Sequence, residues 1–401
     1  MSNTGWKEVR LEDICTDVYS GGTPKSNEAS FYDGDIPWLN TKEVNFGRIH
    51  STEKNITQKG YDNSSAKWVP ANAVIVAMYG ATAGRVAISK IKLTTNQACC
   101  NLIINSEKAD YNFVYYFLLH NYKHIASMAN GGAQQNLNAG QIKDYKIPLP
   151  PLAEQQRIAS ILGSLDDKIE LNNKINRNLE EQAQTLFKNW FVDFEPFGGV
   201  MPEGWKETTL GDVCLKVTDG SHFSPQDDPT APYPMYSVKD METYGFNSNN
   251  CKHISEEDFE KMKAGDCVPK INDILVAKDG SYLKEIFICS EEREEAILSS
   301  IAIFRPDKKK ILPEILLFLL KQPSVRKDVG DNFVSGSALP RIVLKDFKKY
   351  QFILPSLNAQ QDLAKMLNSI RQQIQNNVDE NQQLTTLRDT LLPKLISGEE
   401  I

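Results

Sequence analysis

Two spacings in this chain of 401 residues suggest metal or phosphodiester chemistry. His120 and His124 stand one helical turn apart, but no further ligand accompanies them, so surface packing is a better interpretation than a metal site. Pro306-Asp307 followed by three lysines is similar to part of a nuclease motif. Because no other spaced carboxylates accompany it, we interpret this run as a solvated turn.

Signatures of nucleotide chemistry and methyl transfer are also missing from the sequence. The chain contains no GxxxxGK[ST] phosphate loop, no glycine-rich fingerprint after a strand, and no Asn/Asp-Pro-Pro-Tyr/Phe tetrapeptide of the amino-methyltransferases. Its seven cysteines form an odd set without CxxC spacing, which predicts neither a disulfide framework nor a zinc site. We therefore expect no cofactor, no metal and no catalytic centre within this chain.

The composition is that of a soluble globular protein, with 41% hydrophobic and 24% charged residues. The most apolar stretch, residues 311–320, has about half the length needed to span a bilayer and is predicted to be a buried helix. Residues 1–20 lack the basic start and apolar run of a secretory signal. These features predict a cytoplasmic protein of about two domains without a membrane segment.

The formal net charge of −7 is unevenly distributed along the chain. Residues 1–150 carry 15 Lys and Arg against 13 Asp and Glu, a net charge of +2, whereas residues 151–199 carry 5 against 8 and residues 200–350 carry 21 against 25. A basic face can coexist with an acidic total, and acidic helices could instead contact partner proteins. The charge alone does not decide whether the chain binds nucleic acid.

The elements that would position any functional residue occur twice. Gly5-Trp6-Lys7-Glu8 recurs as Gly204-Trp205-Lys206-Glu207 at an offset of 199, and Leu149-Pro150 with Gln155-Gln156 recurs as Leu354-Pro355 with Gln360-Gln361 at an offset of 205. The ends of the two copies match well and their middles match poorly. Similar ends predict a common frame that presents two different surfaces, although duplication followed by drift would also leave variable loops.

Each copy has the pattern of a mixed α+β globule. In the first copy, β-branched residues predict strands at residues 73–79, 85–89 and 101–104, bounded by Gly80 and Gly84. Apolar residues three and four apart predict one helix over residues 111–129. We predict globular modules at residues 1–150 and 200–355.

Long helices are predicted after each copy, at residues 151–195 and 356–398. Their apolar positions alternate in steps of three and four, as in a coiled coil, and each seam contains two asparagines: Asn172 and Asn176, then Asn377 and Asn381. We expect the helices to pair antiparallel with these asparagines opposed, because a long apolar seam needs a partner. The alternative is that each helix packs on its own globule with the asparagines at a solvated kink.

One segment resembles a known family. Ile147-Pro148-Leu149-Pro150-Pro151-Leu152-Ala153-Glu154-Gln155-Gln156-Arg157-Ile158, followed by Leu165-Asp166-Asp167-Lys168-Ile169, resembles the central region of type I restriction system specificity subunits. Gly21-Gly22-Thr23-Pro24, Asp35-Ile36-Pro37-Trp38 and Gly80-Ala81-Thr82-Ala83-Gly84 are similar to the target recognition domain of that family. The second copy departs from this pattern, with Asp219-Gly220-Ser221-His222 at the glycine loop, which leaves its loop geometry open.

The resemblance implies a DNA-specificity subunit with two target recognition domains, separated by two long helices that pair as an antiparallel coiled coil. Each domain would recognise one half of a bipartite, asymmetric sequence in double-stranded DNA. The implied partners are two modification subunits, which methylate adenine with S-adenosylmethionine, and restriction subunits, which use ATP to move and cut DNA. The helices would set the spacer between the half-sites and dock the modification subunits.

Base recognition needs side chains that reach groove edges from loops, and phosphate contacts need basic side chains, hydroxyls and backbone NH groups. Gly-rich and polar loops supply such side chains in both copies, although the Gly-Gly loops are also compatible with ordinary turns. The candidates in the first copy are Thr23, Lys25, Lys42, Tyr79, Thr82, Arg85, Gln134, Gln135 and Asn136. Those in the second copy are Ser221, His222, Lys239, Lys278, Asp279, Ser281, Lys284, Ser335 and Ser337.

Three functions of different classes fit the sequence. The first is the DNA-specificity subunit, and the second is a self-sufficient enzyme, such as a methyltransferase with an unfamiliar site. The third is a non-catalytic scaffold that joins the subunits of a methyltransferase complex without restriction activity. Tight binding of S-adenosylmethionine by the chain alone would favour the enzyme, and equal affinity of the assembled complex for all DNA sequences would favour the scaffold.

Overall fold

A computed structural model describes residues 6–129, 136–249 and 251–398. The chain divides into two compact units, one formed by Met1–Glu170 with Asn381–Ile401 and the other by Leu171–Glu380. Each unit combines one copy of the repeat with segments of two long helices, Leu152–Phe191 and Leu357–Ser397. We call these the central helix and the C-terminal helix. No helix among the described residues is long and apolar enough to cross a membrane.

The described part of the first unit contains two larger sheets that pack around buried aliphatic and aromatic side chains. One sheet has the strand order Cys15–Ser20, Cys99–Ile104, Val74–Ala77, Val86–Ser89, Gly47–Ile49, and the other has the order Lys54–Ile56, Tyr32–Leu39, Leu93–Thr95, Trp68–Val69. The short helices are Gln58–Asp62, Tyr111–His120, Tyr122–Ser127 and Ala139–Lys143. The three strands predicted for this copy are confirmed with slightly different bounds.

One helix prediction in this unit is wrong. The periodic segment at residues 111–129 forms two helices that meet at Asn121, where the backbone leaves helical geometry at φ −90° and ψ 9°. The Asn121 side chain donates a 2.8 Å hydrogen bond to the Phe117 carbonyl. Asparagine competes with the helix for backbone partners in this way, so the apolar face continues while the helix ends.

The second unit repeats the plan with shorter strands. Its described residues form one sheet in the order Cys214–Asp219, Ile301–Pro306, Ile274–Ala277, Ile286–Ile288, and another in the order Lys252–Ile254, Tyr233–Tyr236, Ala296–Ile297. Two short strand pairs are Met241–Glu242 with Gly245–Phe246 and Val334–Ser335 with Arg341–Ile342. The helices besides the long ones are Leu210–Val213, Glu256–Ala264, Pro313–Leu320, Pro323–Asn332 and Leu344–Phe347. The apolar stretch at residues 311–320 is a buried helix, as predicted.

Both copies are closed by pairing of their first and last strands. Lys7–Arg10 pairs antiparallel with Lys146–Leu149, and Lys206–Thr209 pairs antiparallel with Gln351–Leu354. The last strand leads directly into a long helix in each case. The well-matched ends of the sequence repeat are therefore the closing strands and the first turns of the long helices.

A buried glutamine fixes each long helix to its copy. Gln155 is 1% exposed, its Nε2 donates to the carbonyls of Pro150 and Lys108, and its Oε1 accepts from the Asp110 backbone NH. Gln360, fully buried, makes the same three kinds of bond, to the carbonyls of Pro355 and Lys310 and from the Leu312 NH. The amide thus satisfies backbone groups that would otherwise be buried without partners.

The central and C-terminal helices pair antiparallel within each unit. In the first unit, Arg388 donates to Asp166 at 2.9 Å, and in the second unit Asn377 Nδ2 donates to Asn176 Oδ1 at 2.7 Å. The predicted opposition of Asn176 and Asn377 is therefore confirmed. Asn172, which is fully buried, donates from Nδ2 to Glu380 Oε2 at 2.8 Å, an acceptor that the seam pattern did not predict.

The buried glutamines give a test of the stability of each unit. Gln360→Leu should lower the free energy of unfolding of the second unit by about 2–4 kcal/mol, because two carbonyls and one NH lose their partner. Gln361→Leu is the matched control, since this neighbouring side chain is exposed. Urea unfolding of the full chain measures both variants. Equal stability of the two variants would show that the buried amide does not hold the helix.

Candidate nucleic-acid interface

The predicted contact residues of the first unit lie mainly in three loops that meet at one turn. We call the set formed by residues 21–25, 79–85 and 136–138 with the turn 95–98 the first-unit face. Gly22 NH donates to the Thr95 carbonyl at 2.8 Å, and the Thr23 hydroxyl donates to Gln97 Oε1. The Met78 NH donates to the Ala98 carbonyl at 2.8 Å, so the turn connects the first two loops.

The third loop of this face joins the second through backbone contacts. Leu137 NH donates to the Met78 carbonyl at 2.8 Å, and Tyr79 and Asn136 form an isolated antiparallel bridge. The face therefore includes Thr23, Tyr79 and Asn136 within one connected backbone network. Gln134 and Gln135 lie outside the described residues.

The second unit has an equivalent second-unit face, formed by residues 219–223, 278–284 and 335–341 with the turn 298–300. Ser299 NH donates to the Ser221 carbonyl at 2.9 Å, and Lys278 NH donates to the Ser300 carbonyl at 3.0 Å. Ile342 NH donates to the Lys278 carbonyl at 3.0 Å, which places the third loop beside the second. The candidates Ser221, His222, Lys278, Asp279, Ser281, Lys284, Ser335 and Ser337 all belong to these loops.

The glycine loops of the two faces have the same geometry despite their different sequences. A Cβ on Gly21 would lie 2.0 Å from the Thr95 carbonyl oxygen, and a Cβ on Gly220 would lie 2.3 Å from the Ile297 carbonyl oxygen. The following residue donates to that same carbonyl in both units, from Gly22 and from Ser221, at 2.8 Å. The departure from the Gly-Gly-Thr-Pro pattern therefore keeps these two backbone contacts of the loop.

Lys42 and Lys239 occupy equivalent turns outside these loops. Each lies at the middle of a three-residue 3-10 turn closed by a capping box, between Asn40 and Glu43 in one unit and between Ser237 and Asp240 in the other. Both lysines are exposed. The Glu53 carboxylate pairs with Lys42 and raises the pKa of its ammonium group, which stays charged at neutral pH.

The other candidates on the first-unit face differ in how freely they can reach a ligand. Thr23 and Lys25 are exposed, and Tyr79 is 43% exposed. Thr82 donates its hydroxyl to the Tyr79 carbonyl at 3.1 Å. Arg85 donates to Asn45 Oδ1 at 2.9 Å and lies over the Phe46 ring, so its guanidinium is already held by the protein.

A chain of charges connects the three loops of the second-unit face. The Nζ of Lys278, a residue only 5% exposed, lies 2.6 Å from Asp219 Oδ2 and 4.0 Å from Asp279 Oδ1. His222 Nε2 lies 3.3 Å from Asp219 Oδ2, and Arg341 Nε lies 3.1 Å from Asp279 Oδ1. One buried cation is therefore flanked by two carboxylates, each of which also contacts a more exposed basic side chain.

Burial separates the candidates of the second unit into two groups. Ser221, Lys278 and Asp279 are at most 9% exposed, and the Ser221 hydroxyl bonds within its own loop to the Phe223 NH and carbonyl. These three side chains hold the loops in place, and their direct contact with DNA stays a prediction. His222, Lys239, Ser281, Lys284, Ser335 and Ser337 are the exposed candidates.

The sequence interpretation missed residues that the structure brings to the two faces. Gln97 is exposed in the first connecting turn, Ser299 and Ser300 occupy the second, and the Arg341 side chain is 55% exposed on the third loop. Gln97 was not among the candidates; it lies in a short turn between Leu93–Thr95, a strand that the sequence did not predict, and Cys99–Ile104. Arg341 could have been found, since the offset of 205 between the repeat ends places it opposite Asn136.

Comparison with known proteins identifies what this repeated arrangement is similar to. The profile of the family described as "Type I restriction modification DNA specificity domain" matches residues 3–181 and again residues 202–386. The chain is 30% identical to the type I restriction enzyme MjaIX specificity subunit of Methanocaldococcus jannaschii, over 98% of this chain and 93% of that protein. It is 23% identical to the EcoBI specificity subunit of Escherichia coli, over 98% of this chain and 86% of that protein.

A solved structure has a similar fold. The crystal structure of a type I restriction-modification system S subunit from M. genitalium aligns with a TM-score of 0.56 and 18% identity, over 98% of this chain and 97% of that one. This likeness confirms the predicted fold class of two mixed α/β domains with two long paired helices.

Lys278 allows the support of the second-unit face to be tested. Lys278→Met should lower the free energy of unfolding by about 2–4 kcal/mol, because Asp219 and Asp279 lose the cation between them. The matched control is Lys284→Met in the same loop, whose side chain is 63% exposed and pairs with Glu285. That change should stay within about 0.5 kcal/mol of the wild type. A Lys278→Met protein as stable as the control in urea unfolding would contradict the structural role.

Proposed function

Since the chain belongs to the type I restriction modification DNA specificity family, we propose that its two units recognise the two halves of a bipartite, asymmetric DNA sequence. The recognition modules are residues 1–150 and 200–355, and the first-unit and second-unit faces are their DNA-contacting surfaces. One observation carries this proposal: the two faces share three equivalent backbone hydrogen bonds between their loops but present different side chains. Equal frames with unequal side chains are what two independent half-sites require.

The side chains on the faces suit recognition of base edges. Amides, hydroxyls and guanidinium groups pair with the donor and acceptor patterns of the major groove, and ammonium groups contact phosphates. The first-unit face offers Thr23, Gln97 and Asn136 with Lys25 nearby, and the second offers His222, Ser281 and Arg341 among its more exposed members. Tyr79, 43% exposed, adds an aromatic surface for a sugar or a thymine methyl group.

We further propose that the chain acts in the cytoplasm as a non-catalytic subunit with two modification subunits and with restriction subunits. Its relatives are named as specificity subunits of restriction enzymes, which implies that other chains supply the chemistry. The central and C-terminal helices would set the spacer between half-sites and dock the modification subunits. Exposed apolar side chains on the helices, such as Leu171, at 52%, and Leu387, at 47%, favour contact with a partner.

A complex that methylates DNA without restricting it is the second candidate. The equal backbone of the two faces supports both possibilities, because recognition is the same in each. Restriction of unmodified DNA in cells that carry the complete set of genes would separate them.

Exchange of one module tests independent half-sites. Replacing residues 1–150 with the corresponding module of a relative should change one half of the methylated motif and leave the other half intact. Long-read mapping of N6-methyladenine in a host without other methylation gives the motif directly. A change in both halves, or in neither, would contradict modular recognition.

Matched insertions test whether the helices measure the spacer. Four residues added after Asn178 and before Gln375, which face each other if the Asn176–Asn377 register continues, lengthen both helices by about 6 Å. Both half-sites should persist while the spacer grows by about one or two base pairs. Four residues added between Gly198 and Gly199, outside both helices, are the control and should leave the spacer unchanged. Full activity with an unchanged spacer in both variants would show that the helices do not measure it.

A further inference from the structure

Asn136 and Arg341 occupy the same backbone position in the two units. Each closes an isolated antiparallel bridge at the start of the second loop of its face, Asn136 with Tyr79 and Arg341 with Asp279. The two positions are also related by the offset of 205 that connects the ends of the repeat. A shared backbone position thus carries an amide in one unit and a guanidinium in the other.

The Asp279 carboxylate contacts the guanidinium of Arg341 on one side. Its Nε lies 3.1 Å from Oδ1 of Asp279, a residue only 8% exposed, while the Arg341 side chain is 55% exposed. No aligned hydrogen bond reaches that oxygen among the described residues, so the contact is an ion pair of loose geometry. The backbone beneath is held by a 2.7 Å hydrogen bond from Gly280 NH to the Pro340 carbonyl.

This arrangement leaves the outer edge of the guanidinium available. Among the residues that the structure describes, the Arg341 side chain makes no other hydrogen bond or ion pair. The two Nη groups can donate two parallel hydrogen bonds, a pattern that matches the O6 and N7 acceptors of guanine in the major groove. A lysine at this position would supply the positive charge but not the two parallel donors.

We propose that Arg341 recognises one guanine in the half-site contacted by the second-unit face and that Asp279 positions its guanidinium. This inference rests on the proposed function and adds a specificity-determining residue to it. Loss of the bidentate pair should reduce discrimination at that one base pair by about 5- to 150-fold. Discrimination at the other positions of both half-sites should persist.

The experiment uses the full chain assembled with its modification subunits. Arg341→Ala and Arg341→Lys are compared with the wild type by mapping the methylated motif and by competition binding of duplexes that differ at single base pairs. Arg293→Ala is the matched control: its side chain is 45% exposed and pairs with Glu291 at 2.7 Å. Arg293 follows the strand Ile286–Ile288 in the chain. Ile288 pairs with Ile274, and this end of the strand pair lies away from the second-unit face.

A modified base gives an independent measurement. A duplex with 7-deazaguanine at the affected position lacks the N7 acceptor, so it should bind the wild-type complex more weakly than the normal duplex. The Arg341→Ala complex should bind both duplexes equally. Arg341→Lys keeps the charge and the backbone bridge, so it tests the role of the two parallel donors even if the alanine variant folds poorly.

The outcomes separate the inference from the proposed function. Relaxation at one guanine in both Arg341 variants, with the Arg293→Ala motif unchanged, supports the inference. An unchanged motif overturns it, and so does uniform weakening on all sequences with a reduced salt dependence, which would identify a phosphate contact. A wild-type complex without any bipartite motif would instead overturn the proposed function.

Discussion

The buried glutamine at the first turn of each long helix is the interaction on which the rest of the arrangement depends. Gln155 and Gln360 each donate to a carbonyl just before the long helix begins and to a carbonyl in the loop that precedes a shorter helix of the module. Each also accepts from the backbone NH at the start of that shorter helix. A buried amide that is fully hydrogen-bonded stabilises one orientation, since any other leaves backbone groups without partners. The direction in which each long helix leaves its module is therefore fixed where the module closes.

The closing strands place this fixed point and leave the faces free to vary. Pairing of Lys7–Arg10 with Lys146–Leu149, and of Lys206–Thr209 with Gln351–Leu354, brings the first and last residues of a module together. The loops of each face are joined by main-chain bonds, which do not depend on the identity of the side chain, and on the second-unit face also by the ion pairs of Lys278. Gly21 and Gly220 are restricted there by the carbonyl that each of them approaches, and Gly84 and Gly336 by a positive φ and a close backbone neighbour. The exposed side chains on the faces can thus change with little effect on the frame, whereas buried ones such as Lys278 cannot.

Regular patterns made much of the fold predictable from the sequence. The well-matched ends of the repeat predicted a common frame, and the seam pattern located the long helices and the Asn176–Asn377 contact. Periodicity did not predict that the helix ends at Asn121. A single side chain, which competes for a backbone carbonyl, decides where the helix ends. The polar residues located the candidate loops, but they did not predict which side chains are buried. Lys278 and Lys284 are the same residue type in one loop, yet Lys278 is buried and Lys284 is exposed. Whether these candidates contact bases stays a prediction.

Charge explains why such a chain can be acidic and still specify a DNA sequence. Affinity for DNA comes largely from phosphate contacts, whereas base contacts decide which sequence is bound. On the second-unit face, Asp219 and Asp279 would repel phosphates if they were bare, but the buried Lys278 lies between them and offsets their charge. The carboxylates can then orient His222 and Arg341 without creating a strongly negative surface. A net charge of −7 is therefore compatible with base contacts, because the choice of sequence depends on which side chains reach the bases and not on the total charge.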